Sequence, residues 1–228
     1  MKFGLVSDIH GNLPALEEVL DEFERRHIGT IICCGDIIGY GPWPNECAML
    51  VRDRKMIAVR GNHDTLIVGD SEIEEFSSNA RKAGLWTRDQ LLPETREFLA
   101  SLPLPTQFEN FAITHASFRD PLWEYIFDRR VAYHNFHVLE TEIGFFGHSH
   151  IPTIFQWNGG DVLGGQIVDD FELLCEPSER YLINPGSVGQ PRDGDWRASC
   201  MIVAAQNGAW QVQIRRLEYS VEETREEM

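Results

Sequence analysis

The sequence lacks the cysteine spacing of a disulfide framework or a zinc knuckle. Its five cysteines are odd in number and include no Cys-x-x-Cys pair, so we expect reduced thiols. The sequence also lacks an apolar run long enough to span a membrane, and residues 1–8 show neither the apolar core nor the cleavage site of a secretion signal. These absences predict a cytoplasmic protein without membrane association.

Basic residues are scarce, because 20 lysines and arginines stand against 36 aspartates and glutamates, for a net charge of -16. A surface with this excess of negative charge repels polyanions, which argues against an extended nucleic-acid partner. A small phosphorylated substrate is compatible with it, since bound cations reverse the local sign of a cleft. Composition leaves the oligomeric state open.

Apolar runs alternate with helical patterns in the first part of the chain. Strands are predicted at 3–7, 30–34 and 56–60, and helices at 13–26 and 44–54. This order is typical of a mostly parallel sheet with helical crossovers. Further strands are predicted at 112–115 and 143–147, separated by a segment that reads as helical. We therefore predict an α/β fold.

The pattern changes after residue 150. Short strands joined by Gly, Asn and Asp turns predict a second sheet of antiparallel hairpins, which would face the first. Because no linker interrupts the 228 residues, we expect one domain over 1–228. Within it we predict a helical insertion or cap around 70–101 and a frayed acidic tail at 222–228.

Residue types that ligate metals follow the predicted strands in five clusters. They are Asp8-Ile9-His10, Gly35-Asp36, Gly61-Asn62-His63-Asp64, His115 and Gly147-His148-Ser149-His150. The first two clusters and His115 are weak signals when taken alone, since a lone histidine at a strand end is more often a satisfied polar group. The third is far more specific, because it places an amide oxygen, an imidazole and a carboxylate directly after a strand. Together they hold five of the eight histidines, and polar groups beyond the carboxyl ends of parallel strands meet at one edge of a sheet. The pattern predicts a divalent-metal site.

In order and spacing these clusters resemble the calcineurin-like metallophosphoesterases, from the first strand to about residue 197. Residues 184–192 also resemble a segment of the small prokaryotic phosphodiesterase branch. The resemblance implies a four-layer α/β/β/α sandwich of two facing mixed sheets flanked by helices. It further implies two ions, of which one is held by Asp8, His10 and His150, the other by Asn62, His115 and His148, with Asp36 bridging them.

The resemblance implies a reaction as well. Two divalent cations share a water, lower its pKa and position the resulting hydroxide for in-line attack on phosphorus. His63 is then the candidate general acid for the leaving group, and Asp64 is expected to orient it by accepting its second N–H. An alternative role for His63 is that of a further metal ligand. Mn²⁺ is the expected metal, with Fe, Zn, Ni or Co as alternatives.

The expected function is a phosphodiesterase for small phosphodiesters. Alternatives are a phosphomonoesterase, a diadenosine tetraphosphatase-like hydrolase and a non-catalytic protein-binding scaffold of the same fold. A protein phosphatase is disfavoured, because the chain continues after Asp36 with Ile-Ile-Gly-Tyr-Gly and so lacks the arginine with which those enzymes hold phosphate. Tyr40, Trp43 and Trp123 are candidates for stacking on a planar substrate group, although packing is the commoner role of an aromatic residue.

Overall fold

Two six-stranded sheets form the centre of the computed structural model, which describes residues 1–69, 73–206 and 209–228. The strands are β1 (Lys2–Val6), β2 (Ile31–Cys33), β3 (Ile57–Ala58), β4 (Thr106–Gln107), β5 (Phe111–Ile113), β6 (Ile143–Phe145), β7 (Thr153–Trp157), β8 (Val162–Gln166), β9 (Phe171–Cys175), β10 (Arg180–Asn184), β11 (Ala198–Gln206) and β12 (Ala209–Leu217). The helices are α1 (Leu13–Arg25), α2 (Pro44–Asp53), α3 (Asn62–Val68), α4 (Ser78–Gln90), α5 (Pro93–Ser101), α6 (Arg129–Phe136) and α7 (Val221–Glu227), with a 3₁₀ helix at Ile73–Glu75.

Both sheets are mixed. The first has the order β3-β2-β1-β11-β12-β9, in which β1, β2 and β3 are parallel and β11 is antiparallel to β1. The second has the order β4-β5-β6-β10-β7-β8, in which β5, β6 and β10 are parallel. The predicted separate sheet of C-terminal hairpins is therefore wrong. The β11–β12 hairpin extends the first sheet, because β11 pairs with the free edge of β1, with Leu5 opposite Met201.

An apolar core fills the space between the two sheets. Phe3 of the first sheet stacks on Phe111 of the second at 5.4 Å between ring centroids, and it meets Phe145 edge-on at 5.9 Å. A second core lies between the first sheet and helices α1 and α2, and a third between the second sheet and α6. The layers thus follow the predicted α/β/β/α order and give the loops at the sheet ends a rigid base.

Helix α1 follows the sequence pattern closely. Asn12 caps it by accepting a hydrogen bond from the Ala15 N–H at 3.3 Å. Apolar side chains at helical spacing, including Leu16, Val19, Leu20 and Phe23, are buried against the first sheet. Gly4 of β1 lies directly beneath the Phe23 ring, where an added Cβ would approach to 2.5 Å. A glycine in the strand therefore allows the close approach of helix and sheet.

Several segments differ from the sequence predictions. The C-terminal segment forms α7 rather than a frayed tail, because Ser220 caps the helix and the buried Thr224 hydroxyl donates to Asn12 Oδ1 at 3.1 Å. In the segment between β5 and β6, which was predicted as helical, only α6 forms a helix. Before α6, the Asp120 carboxylate accepts hydrogen bonds from two backbone N–H groups and so forms a turn instead. Strands β4, β8 and β9 and helix α3 are additional to the predicted elements.

The region from residue 70 to 101 is helical where it is described. It contains the 3₁₀ helix, α4 and α5, whereas residues 70–72 lie outside the described part of the chain. Phe76, which precedes α4, is buried and lies against the ring of His63. This region therefore borders the candidate site. None of the helices in the described ranges has the length and apolar character that crossing a membrane requires.

Candidate metal centre

Loops from both sheets carry the predicted ligands to one place. Asp8 and His10 follow β1, Asp36 follows β2 and Asn62 follows β3, all in the first sheet. His115 follows β5, and His148 and His150 follow β6, in the second sheet. All seven side chains are buried, with exposed fractions of 5% or less. The structure thus brings together every residue that the sequence nominates as a ligand.

The backbone at five of these positions is left-handed. Asp8, His10, Asp36, His148 and His150 have φ between 50° and 65°. This conformation costs most L-residues roughly 1–2 kcal/mol, and among them Asp, Asn and His tolerate it best. Hydrogen bonds between the loops hold it, such as those from the Asp8 N–H to Gly35 O and from the His10 N–H to Asp36 O, each at 3.0 Å.

The first group of donor atoms comes from Asp8, His10 and His150. The Nδ1 atoms of the two histidines bond the carbonyl oxygens of Ile38 and Gln190. Because a carbonyl only accepts, each Nδ1 carries the proton and each Nε2 has a free lone pair. The two Nε2 atoms face each other at 3.1 Å, and Asp8 Oδ1 lies 3.3 Å from that of His150. Such an arrangement of acceptors requires a cation or an additional proton.

The second group comes from Asp36, Asn62, His115 and His148. His115 Nδ1 donates to Cys34 O at 2.8 Å, which leaves its Nε2 facing Asn62 Oδ1 at 3.0 Å and Asp36 Oδ2 at 3.3 Å. His148 Nε2 is buried and has no hydrogen-bond partner among the described residues. Asp36 Oδ2 also lies 3.6 Å from His10 Nε2. The Asp36 carboxylate therefore lies between the two groups.

The donor atoms fit divalent cations. Asp8, His10 and His150 form one cluster whose ligand atoms all lie within 4.8 Å of one another, and Asp36, His115 and His148 form another. Imidazole nitrogens with carboxylate and amide oxygens suit divalent first-row metals. A bound cation would satisfy the facing lone pairs of the His10 and His150 Nε2 atoms and the unpartnered Nε2 of His148.

His63 lies beside these groups at the wall of a cavity of about 380 Å³. Its ring is packed between those of His10, Tyr40 and Phe76, at centroid distances of 4.7–4.9 Å. It also forms a third cluster of possible ligand atoms with His10 and Asp36, so the geometry leaves both of its predicted roles open. The cavity is further lined by Trp123, Tyr125, Arg192 and the ligand-type residues Asp36, Asn62, His148 and His150.

Residues 1–208 match the model of the calcineurin-like phosphoesterase superfamily domain. The chain belongs to the calcineurin-like phosphoesterase superfamily. A crystal structure of a metallophosphoesterase from Sphaerobacter thermophilus, a superfamily relative, is 39% identical, with a TM-score of 0.88 and coverage of 100% of this chain and 93% of that chain.

Two further relatives of the superfamily cover most of the chain. An uncharacterized protein of Methanocaldococcus jannaschii is 38% identical over 231 residues, which make up 98% of this chain and 90% of that protein. The phosphodiesterase YfcE of Escherichia coli strain K12 is 26% identical over 206 residues, which make up 86% of this chain and 83% of YfcE. The chain is thus a superfamily member related to small phosphodiesterases of the YfcE type.

Burial keeps most of the imidazoles in this superfamily site neutral. It lowers the pKa of His148 to about 3 and holds those of His10 and His150 well below the ordinary value. For His115 burial acts in the same direction, but the adjacent Asp36 carboxylate outweighs it and raises the pKa to about 9. Neutral imidazole is the form that binds metal, so His10, His148 and His150 keep their ligand form in mildly acidic solution.

The carboxylates respond to the same low-dielectric environment. Burial raises the pKa of Asp8 to about 7, against the opposing effect of His115. Burial acts likewise on Asp36, but the positive charge of His115 and His63 outweighs it and lowers the pKa of Asp36 well below the ordinary value. A buried anion at Asp36, between the two groups of nitrogen donors, is a strong attractor for cations.

Asp64 does not hold His63 as predicted. Its Oδ1 accepts from the Ile37 and Ile38 N–H groups at 3.0 and 3.2 Å, and its Oδ2 accepts from the Gly61 N–H at 3.0 Å. His63 Nδ1 has no hydrogen-bond partner among the described residues. The prediction that Asp64 accepts the second imidazole N–H is therefore wrong. Asp64 instead ties the loop after β2 to the start of α3.

Three residues of the cavity wall were not nominated as functional from the sequence. Tyr125 stacks face-on against the His148 ring at 3.9 Å, and Phe76 packs between His63 and Trp123. Arg192 lines the opening as its only arginine or lysine among the described residues. Phe76 lies in the predicted cap, and Arg192 is the last residue of the segment 184–192 that resembles the phosphodiesterase branch. These two positions were the sequence signals that could have identified them as candidates.

Proposed function

We propose that this protein is a phosphodiesterase that uses two divalent cations, Mn²⁺ in the first instance, to hydrolyse small phosphodiesters. The observation that carries the proposal is a pair of buried donor groups that share Asp36 and open into the cavity beside His63. With a net charge of -16, the protein is expected to act on a small substrate rather than on an extended polyanion.

The proposed ligands divide as the donor groups do. Asp8, His10 and His150 would hold one ion, Asn62, His115 and His148 would hold the other, and Asp36 would contact both. When bound, such a pair supplies a water of lowered pKa as nucleophile and stabilises negative charge on phosphoryl oxygens. The protein supplies a buried site in which these interactions are strong, since little water screens them.

His63 is the proposed donor of the proton that the leaving alkoxide requires. Burial lowers its pKa to about 4 in the free protein, so the ring is neutral near pH 7. A phosphate anion in the cavity raises that pKa, because an adjacent negative charge stabilises the imidazolium. His63 can carry a proton only where the charge of the bound phosphate outweighs the repulsion of the two cations, which couples its protonation to substrate binding.

Aromatic side chains in the cavity wall favour a diester over a monoester. Phe76, Trp123 and Tyr125 present ring surface beside the donor groups, and a diester carries a second organic group that such surface can contact. The relationship to YfcE, which is named as a phosphodiesterase, supports the same choice.

The test is a substrate panel on protein of known metal content. Metal-depleted protein reloaded with Mn²⁺, Zn²⁺, Ni²⁺, Co²⁺ or Fe²⁺ is assayed with bis-p-nitrophenyl phosphate, p-nitrophenyl phosphate and a dinucleoside tetraphosphate. We expect the fastest turnover on the diester. A faster rate on the monoester or the dinucleoside polyphosphate would assign one of those activities instead, and two bound ions without hydrolysis of any substrate would favour a scaffold.

The role of His63 is tested with a matched pair of variants. His63→Ala should reduce diester turnover by about 10²- to 10⁴-fold while two ions remain bound. His134→Ala, which removes an exposed histidine of α6, should leave turnover unchanged. Loss of an ion in His63→Ala would instead assign His63 as a ligand, and unchanged turnover would reject it as the acid.

A further inference from the structure

We propose that Arg192 binds the non-bridging oxygens of the substrate phosphate at the mouth of the cavity. The inference rests on the proposed function and adds to it a protein group that recognises phosphate charge. Arg192 lies in the segment between β10 and β11, outside the set of candidate metal ligands.

The position of Arg192 places a positive charge beside the donor groups. Its backbone N–H donates to the carbonyl oxygen of His150 at 3.4 Å, and its side chain lines the same cavity as Asn62 and His148. Among the residues that the structure describes, no other arginine or lysine lines this cavity. In a protein of net charge -16, an anion that enters here meets one fixed cationic side chain.

The Arg192 guanidinium keeps donors available for a ligand. It donates to Gln190 Oε1 at 2.8 Å and interacts with the Tyr40 hydroxyl, and both partners are neutral. No carboxylate of the described residues lies within 4.0 Å of it, whereas Arg197 and Arg216 nearby are both paired with aspartates. A guanidinium has five N–H donors, which suit bidentate binding of phosphate.

The loop that carries Arg192 is fixed on both sides. On one side, the Gln190 N–H donates to Ser187 Oγ at 2.7 Å. On the other, Asp193 forms an ion pair with Arg216, and both of these side chains are buried. An arginine on an anchored loop loses little conformational entropy when it binds a ligand. This is the arrangement expected of a recognition residue rather than of a freely moving surface charge.

The test is calorimetric titration of inorganic phosphate into the Mn²⁺-loaded protein, with metal content measured for each variant. Arg192→Gln should weaken phosphate binding roughly 10- to 100-fold, the range for loss of charge-assisted hydrogen bonds, and Arg192→Lys should fall between it and the wild type. Arg52→Gln, at an exposed position near the end of α2, is the matched control and should bind as the wild type does.

Two results would overturn the inference. One is equal phosphate affinity in Arg192→Gln and the wild type at equal metal content. The other is loss of the ions in Arg192→Gln, which would show that Arg192 acts by supporting the metal site and not by binding phosphate. The readout does not depend on turnover. If the wild type hydrolyses no diester while phosphate binding still depends on Arg192, the proposed function fails and this inference stands.

Discussion

Divalent cations are expected to raise the melting temperature of the metal-free protein, and Asp36→Asn should remove most of that increase. The reason is the crowding of acceptors around Asp36, whose Oδ2 lies 3.3 Å from His115 Nε2 and 3.6 Å from His10 Nε2. Asparagine retains an oxygen that can accept from the backbone N–H of His63, as Asp36 Oδ1 does at 2.9 Å. The substitution thus removes the charge between the two donor groups while it preserves the local hydrogen bond.

The size of the increase follows from mass action. A ligand at 100 times its dissociation constant stabilises the folded state by about 2.7 kcal/mol per site, so two sites give about 5 kcal/mol. For a chain of 228 residues, each kcal/mol shifts the melting temperature by about 2–4 °C. We therefore expect an increase of roughly 10 °C or more in the wild type.

The assay is differential scanning calorimetry of chelator-treated protein titrated with Mn²⁺. Glu17→Gln removes an exposed carboxylate of α1 and controls for cations that bind the acidic surface. It should retain the full increase. An equal increase in Asp36→Asn and the wild type would refute the reasoning, because the stabilisation would then come from sites other than the buried donor groups.

Three further predictions concern the residues around His63. Asp64→Ala should lower the free energy of unfolding by roughly 3–6 kcal/mol, since it leaves three buried N–H groups without their acceptor. Urea unfolding measures this change. The control is Asp53→Ala, at an exposed carboxylate, which should change the free energy of unfolding little. Gly39→Ala should reduce diester turnover, because its Cβ would lie 2.6 Å from His63 Nδ1 at a φ of +96°, whereas Gly159→Ala at φ +92° meets no atom within 4 Å and controls for backbone strain alone. Equal turnover in these two variants would contradict the proposed steric effect. Burial lowers the pKa of His63 to about 4 in the folded protein, whereas in the unfolded chain it is about 6.5. As the pH falls from 6.5 to 4, the unfolded state therefore binds the proton first, and the folded state loses stability. His63→Gln should lose less over this range, by up to roughly 3 kcal/mol in urea unfolding of metal-free protein, and identical pH dependence in both proteins would show that His63 makes no such contribution.

The sequence predicts the ligand-type residues well because their chemistry is local. A carboxylate or imidazole directly after an apolar strand is visible in a few residues, and the carboxyl ends of parallel strands lie at one edge. Asp8, Asp36 and Asn62 are brought together in this way from one sheet. The histidines after β5 and β6 belong to the other sheet. They lie opposite Asp8, Asp36 and Asn62 only because the two sheets face each other.

Long-range pairing is what the sequence does not reveal. Strand β11 joins β1 across some 200 residues of chain, and no local pattern distinguishes this pairing from a separate hairpin sheet. Strands β8 and β9 are sheet edges in which Cys175 is the only buried residue, so they lack the clear alternation that identifies a strand. The role of Asp64 was mispredicted for a similar reason, because its partners are backbone N–H groups of another loop.

The left-handed backbone at five of the proposed ligand positions restricts how this centre can evolve. Each position must supply a donor atom and also accept an unfavourable backbone angle, and few amino acids meet both demands. Glycine accepts the angle but has no donor, while cysteine and glutamate have donors but tolerate the angle less well than Asp, Asn and His. Exchange of ligands is thus confined to a small set of hard and borderline donors, and a thiolate-rich variant with a preference for softer metals is hard to reach by single substitutions.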